Sequence, residues 1–321
     1  MDRTGLILDI FALHAQSKEA NLQVELAMSV YLKPRLAGLG KTLNQQGGGI
    51  GTRGPGEAKL ETDSRLIDNR INKLRRELKK IEKQRVLQAS SREKNNTPLV
   101  SIVGYTNAGK STLLKSLTSS DAYVADELFA TVDSLQRELP IKNIQEPLIL
   151  SDTVGFIQNL PTTLIESFKS TLLVATSADL LIHVVDAATA IPQMHIGTVK
   201  SILEQINVSA NEIMVFNKID RLDRASLNDL TERYPQALFI SSLKNTGIEE
   251  LLERISSEIY GEIKQGSFLV EPKDLEKVNR FGEILEVINS SNLLLLEISM
   301  RSKLIRKLID LKIMKESENA E

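Results

Sequence analysis

Residues 104–111, Gly-Tyr-Thr-Asn-Ala-Gly-Lys-Ser, match the pattern G-x-x-x-x-G-K-[ST] and restrict the possible folds of this chain more than any other feature. The apolar residues 99–103 before them predict a buried strand, and residues 110–117 after them predict a helix. In this context backbone N–H groups and the helix N-terminus can bind phosphates. We expect Lys110 to reach the β- and γ-phosphates and the Ser111 hydroxyl to bind Mg²⁺. The predicted nucleotide contacts are Gly104, Tyr105, Thr106, Asn107, Ala108, Gly109, Lys110, Ser111 and Thr112.

An acidic motif follows the next predicted buried strand. Asp152-Thr153-Val154-Gly155 comes directly after the apolar residues 148–151. A carboxylate at a strand end, downstream of a phosphate-binding loop, suits a Mg²⁺-linked acid. We therefore predict that Asp152 is linked to Mg²⁺ and that the Gly155 backbone N–H meets the γ-phosphate.

A third motif concerns the choice of base. Asn217-Lys218-Ile219-Asp220 follows the apolar residues 213–216. The Asp220 carboxylate can accept hydrogen bonds from guanine N1–H and the exocyclic amine, whereas adenine would leave it unpaired at a cost of about 1–3 kcal/mol. Lys218 is expected to lie along the base plane and Asn217 to tie the loops together. We also predict that a backbone N–H of Ser241-Ser242-Leu243 meets guanine O6, and we leave ATP open as an additional substrate.

Together these motifs resemble the small GTPase superfamily across roughly residues 98–262. The resemblance implies that Thr131, in Phe129-Ala130-Thr131, is the switch threonine that senses Mg²⁺ and the γ-phosphate, with Phe129 beside the nucleotide. It also implies two order–disorder switches, around residues 122–134 and 153–166. The predicted catalytic residues are Lys110, Thr131 and Gly155, and the predicted Mg²⁺ ligands are Ser111, Thr131 and Asp152.

Two positions bear on the mechanism of hydrolysis. Phe156 stands where Ras-like enzymes carry the glutamine that orients the attacking water, so slow intrinsic hydrolysis is expected. Asn107 stands where some related GTPases use an asparagine to hold K⁺. The alternative for Asn107 is a side chain that only stabilises the loop.

From Pro98 onward, strand and helix patterns alternate. Strands are predicted at 99–103, 135–140, 147–151, 179–185, 212–216 and 237–241, and helices at 110–118, 162–175, 193–206, 225–233 and 248–259. This order predicts an α/β fold, a P-loop GTPase domain with a doubly wound, mostly parallel six-stranded sheet. We divide the chain into residues 1–97, 98–262 and 263–321.

The N-terminal part predicts a helical hairpin. Helices are expected at 2–15, 16–37 and 57–91, with Pro34 ending or kinking the second of them. Between the last two lies a loop at 38–56 that contains eight of the seventeen glycines. From Arg53 to Lys94 there are thirteen Lys or Arg against seven Asp or Glu, a balance that suits either a solvated face or a phosphate-rich partner. A flexible linker is the alternative for the loop.

Residues 264–321 predict a small α+β module. Short strands are expected at 268–270, 284–288 and 293–298, followed by an amphipathic basic helix at 303–313 and a disordered tail from Lys315. This helix could pack on the small sheet or lie on a membrane surface. No apolar run reaches the ~18–20 residues that span a bilayer, so no stable membrane insertion is expected. A cytoplasmic monomer is our default expectation, with partial membrane association left open.

The N-terminal motifs narrow the resemblance. Residues 51–63, Gly-Thr-Arg-Gly-Pro-Gly-Glu-Ala-Lys-Leu-Glu-Thr-Asp, resemble the signature of the HflX family of GTPases, as do residues 2–12, 22–27, 129–133 and 152–157. The resemblance covers about residues 2–260. It implies a GTPase that associates with the large ribosomal subunit, splits ribosomes under stress and inserts its glycine-rich tip into rRNA. On that basis Arg53, Lys59 and Arg65 are predicted RNA contacts.

The resemblance leaves some points open. The family usually has a further small α/β subdomain before the point where this sequence begins, and the apolar residues 6–13 are either covered by such a domain or packed on a later element. Ser242 stands where the family usually has Ala, with little effect expected. The alternatives in function are a ribosome-binding, anti-association factor with incidental hydrolysis, and a GTPase acting on another RNA or on a membrane partner.

Overall fold

The computed structural model describes residues 2–44, 55–94, 97–118, 135–153, 155–158, 174–290 and 293–317. The α-helices within these ranges are α1 Arg3–His14, α2 Lys18–Asn44, α3 Pro55–Lys94, α4 Lys110–Thr118, α5 Pro192–Gln205, α6 Arg224–Arg233, α7 Ile248–Tyr260, α8 Leu275–Asn279 and α9 Ser302–Asp310. The strands are β1 Leu99–Gly104, β2 Gln136–Ile141, β3 Ile144–Asp152, β4 Leu180–Asp186, β5 Asn211–Asn217, β6 Leu238–Phe239, β7 Ile263–Val270, β8 Gly282–Ser290, β9 Leu293–Arg301 and β10 Met314–Glu316.

A central sheet has the strand order β2-β3-β1-β4-β5-β6. Among the strands that the structure describes in this sheet, only the β2–β3 pairing is antiparallel, and the pairings of β1, β3, β4, β5 and β6 are parallel. Strand β1 is buried along its whole length, as its apolar sequence predicts. Helices α4 and α7 pack on one face of the sheet and α5 on the other. The predicted doubly wound, mostly parallel sheet is therefore confirmed.

Helices α2 and α3 form an antiparallel pair. Leu26, Ile71 and Leu74 are buried between them, and Leu22, Val30, Ile67 and Leu78 beside them are partly buried. Ion pairs between the two helices join Glu19 to Arg85, Glu25 to Arg70, and Lys33 to Asp68. The residue numbers rise along α2 as they fall along α3, as an antiparallel arrangement requires. Helix α1 buries Ile7, Leu8 and Phe11 against α2. On α1, Leu6 and Leu13 stay 54% and 82% exposed, so α2 covers only part of its apolar surface.

The second helix is longer than predicted. Helix α2 runs through Pro34 to Asn44, so the prediction that the loop begins at residue 38 is wrong. An interior proline costs about 3 kcal/mol, because one hydrogen bond is lost and the ring meets the preceding turn. Packing of α2 along α3 offsets that cost. Residues 45–54, which include Arg53, lie outside the part of the chain that the structure describes.

The C-terminal residues form a second sheet with the order β10-β7-β9-β8. Helix α9 buries Leu304, Ile305 and Leu308 in the same hydrophobic cluster as the inner face of this sheet, which favours the sheet-packing prediction for this helix over the membrane-surface one. The disorder predicted from Lys315 is wrong for the first residues of the tail. Met314 is buried opposite Val270, and β10 pairs with β7 through Glu316.

One hydrophobic cluster joins the α4/α7 face of the central sheet to this second sheet. The division at residue 262 follows the change of sheet but not a break in the core, and the three-domain division stays a prediction. Within the described ranges, no helix has the length and apolar character needed to cross a membrane.

Candidate nucleotide site

The loop 104–111 connects β1 to α4 at the carboxyl end of the central strand β1, which lies between β3 and β4. Crevices at this edge are where open α/β sheets bind ligands. Gly109 has a φ of +91°, in the left-handed region, and a Cβ there would overlap the Asn217 side-chain amide. Glycine at this position therefore serves both the backbone conformation and the close approach of Asn217.

Lys110 is buried at the start of α4. Its Nζ donates to the carbonyl oxygen of Tyr105 over 3.0 Å. Burial lowers the pKa of Lys110 to about 8. The Asp152 carboxylate opposes this shift, and the Lys218 ammonium adds to it. A buried ammonium with few compensating acceptors is suited to an incoming phosphate, whose negative charge would restore its usual pKa.

Ser111 and Asp152 converge from α4 and β3. Ser111 Oγ donates to Asp152 Oδ2 over 2.8 Å, and the Asp152 side chain is fully buried. A hydroxyl and a carboxylate are the hard oxygen donors that Mg²⁺ prefers, so these residues fit that ion. Among the residues that the structure describes, no group of three or more His, Cys, Asp or Glu could hold a metal by itself.

Gly155 lies against the phosphate-binding loop. A Cβ on Gly155 would come 3.0 Å from Thr106 Cα and 3.1 Å from Lys110 Nζ. The chain is held there by a parallel bridge, in which Thr106 N donates to Phe156 O over 2.8 Å and Phe156 N donates to Gly104 O over 3.1 Å. The Gly155 backbone thus shares one space with the lysine ammonium, as a γ-phosphate contact requires.

Phe156 points away from this space. Its side chain is 3% exposed and packs with Val103, Leu181 and Val199 between the sheet and α5. An apolar ring buried in the core cannot orient water at the phosphate.

Asn217 ties two loops together at the end of β5. Its Nδ2 donates to Ala108 O over 3.0 Å, and its Oδ1 accepts from Ser242 N over 2.9 Å and from Ser242 Oγ over 3.0 Å. The serine hydroxyl therefore adds a bond that an alanine at position 242 could not make.

Lys218 extends across the loop 104–111. Its backbone is in the left-handed region, at a φ of 66°. Its Nζ donates to Asn107 O over 2.6 Å and to Asp186 Oδ2 over 2.8 Å. Asn107 Oδ1 lies 3.4 Å from the same Nζ. These bonds hold the lysine stem in one direction beside Gly109, as a platform for a base requires.

Asp220 faces the loop after β6. Its Oδ1 accepts a hydrogen bond from Ser241 Oγ over 2.5 Å. That bond lowers the pKa of the Asp220 carboxyl, with smaller contributions from Lys244 and Arg221. The carboxylate is therefore ionised at neutral pH, in the state that accepts hydrogen bonds from a guanine edge. Leu243, beside it, is 75% exposed.

Two features of the site were not predicted from the sequence. Asp186 at the end of β4 is the partner of Lys218, and its place after an apolar strand is a signal that could have indicated it. Tyr105 stacks on His195 of α5 with ring centroids 3.9 Å apart and an interplanar angle of 7°. Burial lowers the pKa of His195, and the Asp186 carboxylate opposes that shift. Nothing in the local sequence pairs residues 105 and 195.

The remaining predicted residues either lie outside the described ranges or lie on α3 rather than in the loop 104–111. Phe129, Thr131 and the switch at 122–134 lie outside the described ranges, as do Val154 and residues 159–166 of the second switch. Lys59 lies within α3, and Arg65 is exposed on the same helix. The nucleotide, metal and RNA roles of all these residues stay predictions.

Comparison with known proteins places the chain in a family. Residues 14–92 match a family model described as "GTP-binding GTPase Middle Region", and residues 99–218 match one described as "50S ribosome-binding GTPase". The protein named "GTPase HflX" from Escherichia coli strain K12 is 43% identical over 289 residues, which cover 88% of this chain and 67% of that protein. This chain belongs to the HflX family of GTPases. The GTP-hydrolysing domain of the family therefore lies within it.

Other members of the HflX family support the assignment. The "GTPase HflX" of Caldanaerobacter subterraneus subsp. tengcongensis is 47% identical over 289 residues, which cover 90% of this chain and 66% of that protein. The chain thus spans about two thirds of the length of these two relatives. Among solved structures, a GTP-binding protein of the archaeon Sulfolobus solfataricus in complex with GDP matches with a TM-score of 0.50 and 31% identity, over 81% of this chain and 72% of that one.

Proposed function

We propose that this chain hydrolyses GTP in association with the large ribosomal subunit, and that GTP binding presents its helical hairpin to rRNA. The observation that carries the proposal is the attachment of the basic hairpin to the segment behind Gly155. Ile157 packs in the hydrophobic cluster of α1 and α2, and Arg3 Nη2 donates to Gln158 O over 2.7 Å. A change at the γ-phosphate would therefore act on residues that contact the hairpin.

The nucleotide site supports GTP as the substrate. The Lys110 ammonium lies next to the Gly155 backbone. Ser111 and Asp152 offer oxygen donors for Mg²⁺. Asp220 offers a carboxylate for guanine. Bound Mg²⁺ would neutralise charge on the β- and γ-phosphates. In our proposal Lys110 binds those phosphates and Gly155 N–H donates to the terminal one.

The position of Phe156 supports slow hydrolysis by the free protein. Since this ring is buried, water activation must come from other groups, and we propose that the ribosome completes the site. K⁺ at Asn107 is a second way to supply positive charge. It requires Asn107 Oδ1 to leave the Lys218 ammonium, which lies 3.4 Å away.

The surface of α3 supports an RNA partner. Basic side chains point to solvent along this helix at Arg65, Lys73, Arg75, Arg76, Lys79, Lys80 and Lys83. Such a row can neutralise backbone phosphates and release counterions, which makes binding strongly dependent on salt. The description of the model matched by residues 99–218 names the 50S ribosome, which favours the large subunit over other RNA.

In this proposal the protein acts as a cytoplasmic monomer, and the cycle of binding and hydrolysis splits or rescues ribosomes under stress. The alternative is an anti-association factor whose hydrolysis is incidental, and a Lys110→Met variant that still binds large subunits normally would favour it. A GTPase for a different RNA or a membrane would instead bind free RNA or lipid vesicles without preferring ribosomes.

The test is GTP turnover with and without purified large ribosomal subunits, for the wild type and for a variant in which residues 45–54 are replaced by a short Gly-Ser linker. We expect stimulation of the wild type and loss of stimulation in the variant, with equal basal rates. Arg76→Glu on α3 should weaken ribosome binding and reduce its salt slope by about 1. Lys273→Glu, an exposed charge reversal in the C-terminal module, is the matched control. Stimulation that survives the loop replacement and Arg76→Glu would contradict the proposal.

A further inference from the structure

Thr106, in the loop 104–111, has a buried hydroxyl that the preceding sections do not use. The residue is 7% exposed, and among the residues that the structure describes its Oγ1 has no hydrogen-bond partner. A hydroxyl buried without a partner costs on the order of 1–3 kcal/mol, so most buried hydroxyls are bonded. The backbone N–H of Thr106 is engaged elsewhere, because it donates to Phe156 O over 2.8 Å.

The Thr106 side chain lies at the end of the loop where the terminal phosphate of a bound nucleotide is expected. Thr106 Cγ2 and Lys110 Nζ come within 3.0 Å and 3.1 Å of the point where a Gly155 Cβ would stand. In a loop of this pattern the lysine reaches the β- and γ-phosphates. A phosphoryl group that contacts Lys110 and the Gly155 N–H would therefore lie beside the Thr106 side chain.

Phe156 replaces the water-orienting glutamine of Ras-like enzymes and is turned into the core. In hydrolysis the water oxygen attacks the γ-phosphorus, the bond to the β-phosphate oxygen breaks, GDP leaves with that electron pair, and the water proton passes to the released phosphate. Charge spreads over the equatorial γ-oxygens in the transition state, where a fixed O–H donor is effective.

The geometry points to Thr106 as a catalytic residue, whose hydroxyl donates a hydrogen bond to a γ-phosphate oxygen of bound GTP in the transition state. This inference rests on the proposed GTP hydrolysis but not on the ribosome partner. It accounts for a buried Thr106 hydroxyl that has no hydrogen-bond partner within the described ranges, since the partner would arrive with the substrate.

The test compares Thr106→Val, which keeps the shape and removes the hydroxyl, with Thr106→Ser, which keeps the hydroxyl. Single-turnover GTP hydrolysis is measured without ribosomes, together with GDP affinity and the melting temperature of the nucleotide-free protein. For Thr106→Val we expect hydrolysis at least about tenfold slower, with GDP affinity unchanged within about twofold. Its melting temperature should be equal to or above that of the wild type, because an unpaired buried hydroxyl is removed. Thr106→Ser should stay within about threefold of the wild-type rate.

A matched control is available in β1. Ser101 Oγ is also buried without a partner in the described part of the chain, but it lies in the strand and away from the loop. Ser101→Ala should leave hydrolysis unchanged. Wild-type hydrolysis by Thr106→Val would overturn the inference, as would equal losses in the Val and Ser variants or a loss of GDP affinity that matches the loss of rate. A wild type that binds GDP but never hydrolyses GTP would overturn the proposed activity itself, and absence of ribosome stimulation would overturn only the proposed partner.

Discussion

Lys218 donates from Nζ to Asp186 Oδ2 over 2.8 Å, and this ion pair joins the ends of two neighbouring parallel strands. Both side chains are largely shielded from solvent, with 13% and 21% of their surface exposed. The pair therefore fixes the direction of a lysine whose stem is expected to support the base.

Asp186→Asn should weaken GDP binding about three- to tenfold, because Lys218 would lose a charged partner and gain freedom to turn away. A titration with a fluorescent GDP analogue measures this loss. Asp229→Asn is the control, since it breaks an exposed pair with Arg233 on α6 and should leave the affinity unchanged. Equal affinities for the wild type and Asp186→Asn would show that Asn107 alone holds Lys218.

Asp220→Asn should exchange the preference for guanine for a preference for xanthine. The Asp220 carboxylate accepts hydrogen bonds from both guanine donors. An asparagine amide would instead accept from N1–H through its oxygen and donate through its NH₂ group to the additional carbonyl of xanthine. Competition by GDP, XDP and ADP for one labelled nucleotide measures the change. Strong competition by ADP against the wild type would contradict recognition by Asp220 and would support ATP as an additional substrate.

The lowered pKa of Lys110 predicts a pH dependence of nucleotide affinity. Since burial brings the pKa to about 8 in the free protein, the ammonium that binds phosphate is lost as the pH rises through that value. Affinity for GDP should fall roughly threefold between about pH 7.5 and about pH 8.5. Lys110→Arg keeps its charge over this range and should show a flat profile, so parallel profiles for the two proteins would contradict the assignment.

The lowered pKa of Lys110 affects folding stability in the opposite direction to nucleotide affinity: as the pH rises, stability increases while affinity falls. The unfolded chain holds the Lys110 proton more tightly than the folded one, so the contribution of this group to the free energy of unfolding rises with pH between about 8 and the ordinary lysine pKa of 10.5. At neutral pH, therefore, nucleotide-free protein carries a buried charge at a cost.

Phe156→Gln should not accelerate hydrolysis. The ring lies in the core, so the amide would be buried without partners and should lower the free energy of unfolding by about 2–4 kcal/mol. Phe156→Leu keeps the site apolar and should cost much less. Chemical denaturation and single-turnover kinetics test both variants. A faster Phe156→Gln enzyme would mean that this residue can swing toward the phosphate.

Asn107 predicts an effect of monovalent cations. We expect faster GTP turnover in KCl than in NaCl at equal ionic strength, with the difference removed in Asn107→Ala, because the side-chain oxygen would be a K⁺ ligand. Equal rates in the two salts would leave Asn107 as a residue that stabilises the loop through its bond to Lys218.

Much of this architecture could be predicted because its signals are local. The loop 104–111 carries its own strand and helix, and an acid or amide after an apolar strand falls at the ligand edge of a parallel sheet, as Asp152 and Asn217 do. The rest depends on contacts distant in sequence. The stack of Tyr105 on His195 needs the packing of α5, and passage of α2 through Pro34 needs the partner helix. The pairing of Met314 with Val270 likewise depends on a distant strand, and the polar sequence that follows Met314 gave no sign of it.

Helix α3 has 40 residues, and at its C-terminal end the Thr97 N–H donates to Arg92 O. At about 1.5 Å per residue such a helix is about 60 Å long. The hairpin is therefore a lever arm whose short end rests on Ile157 and Gln158, next to Gly155. A tilt of about 5° at that end would carry the far end of α3 through about 5 Å, which in the proposed function would move the hairpin relative to bound RNA.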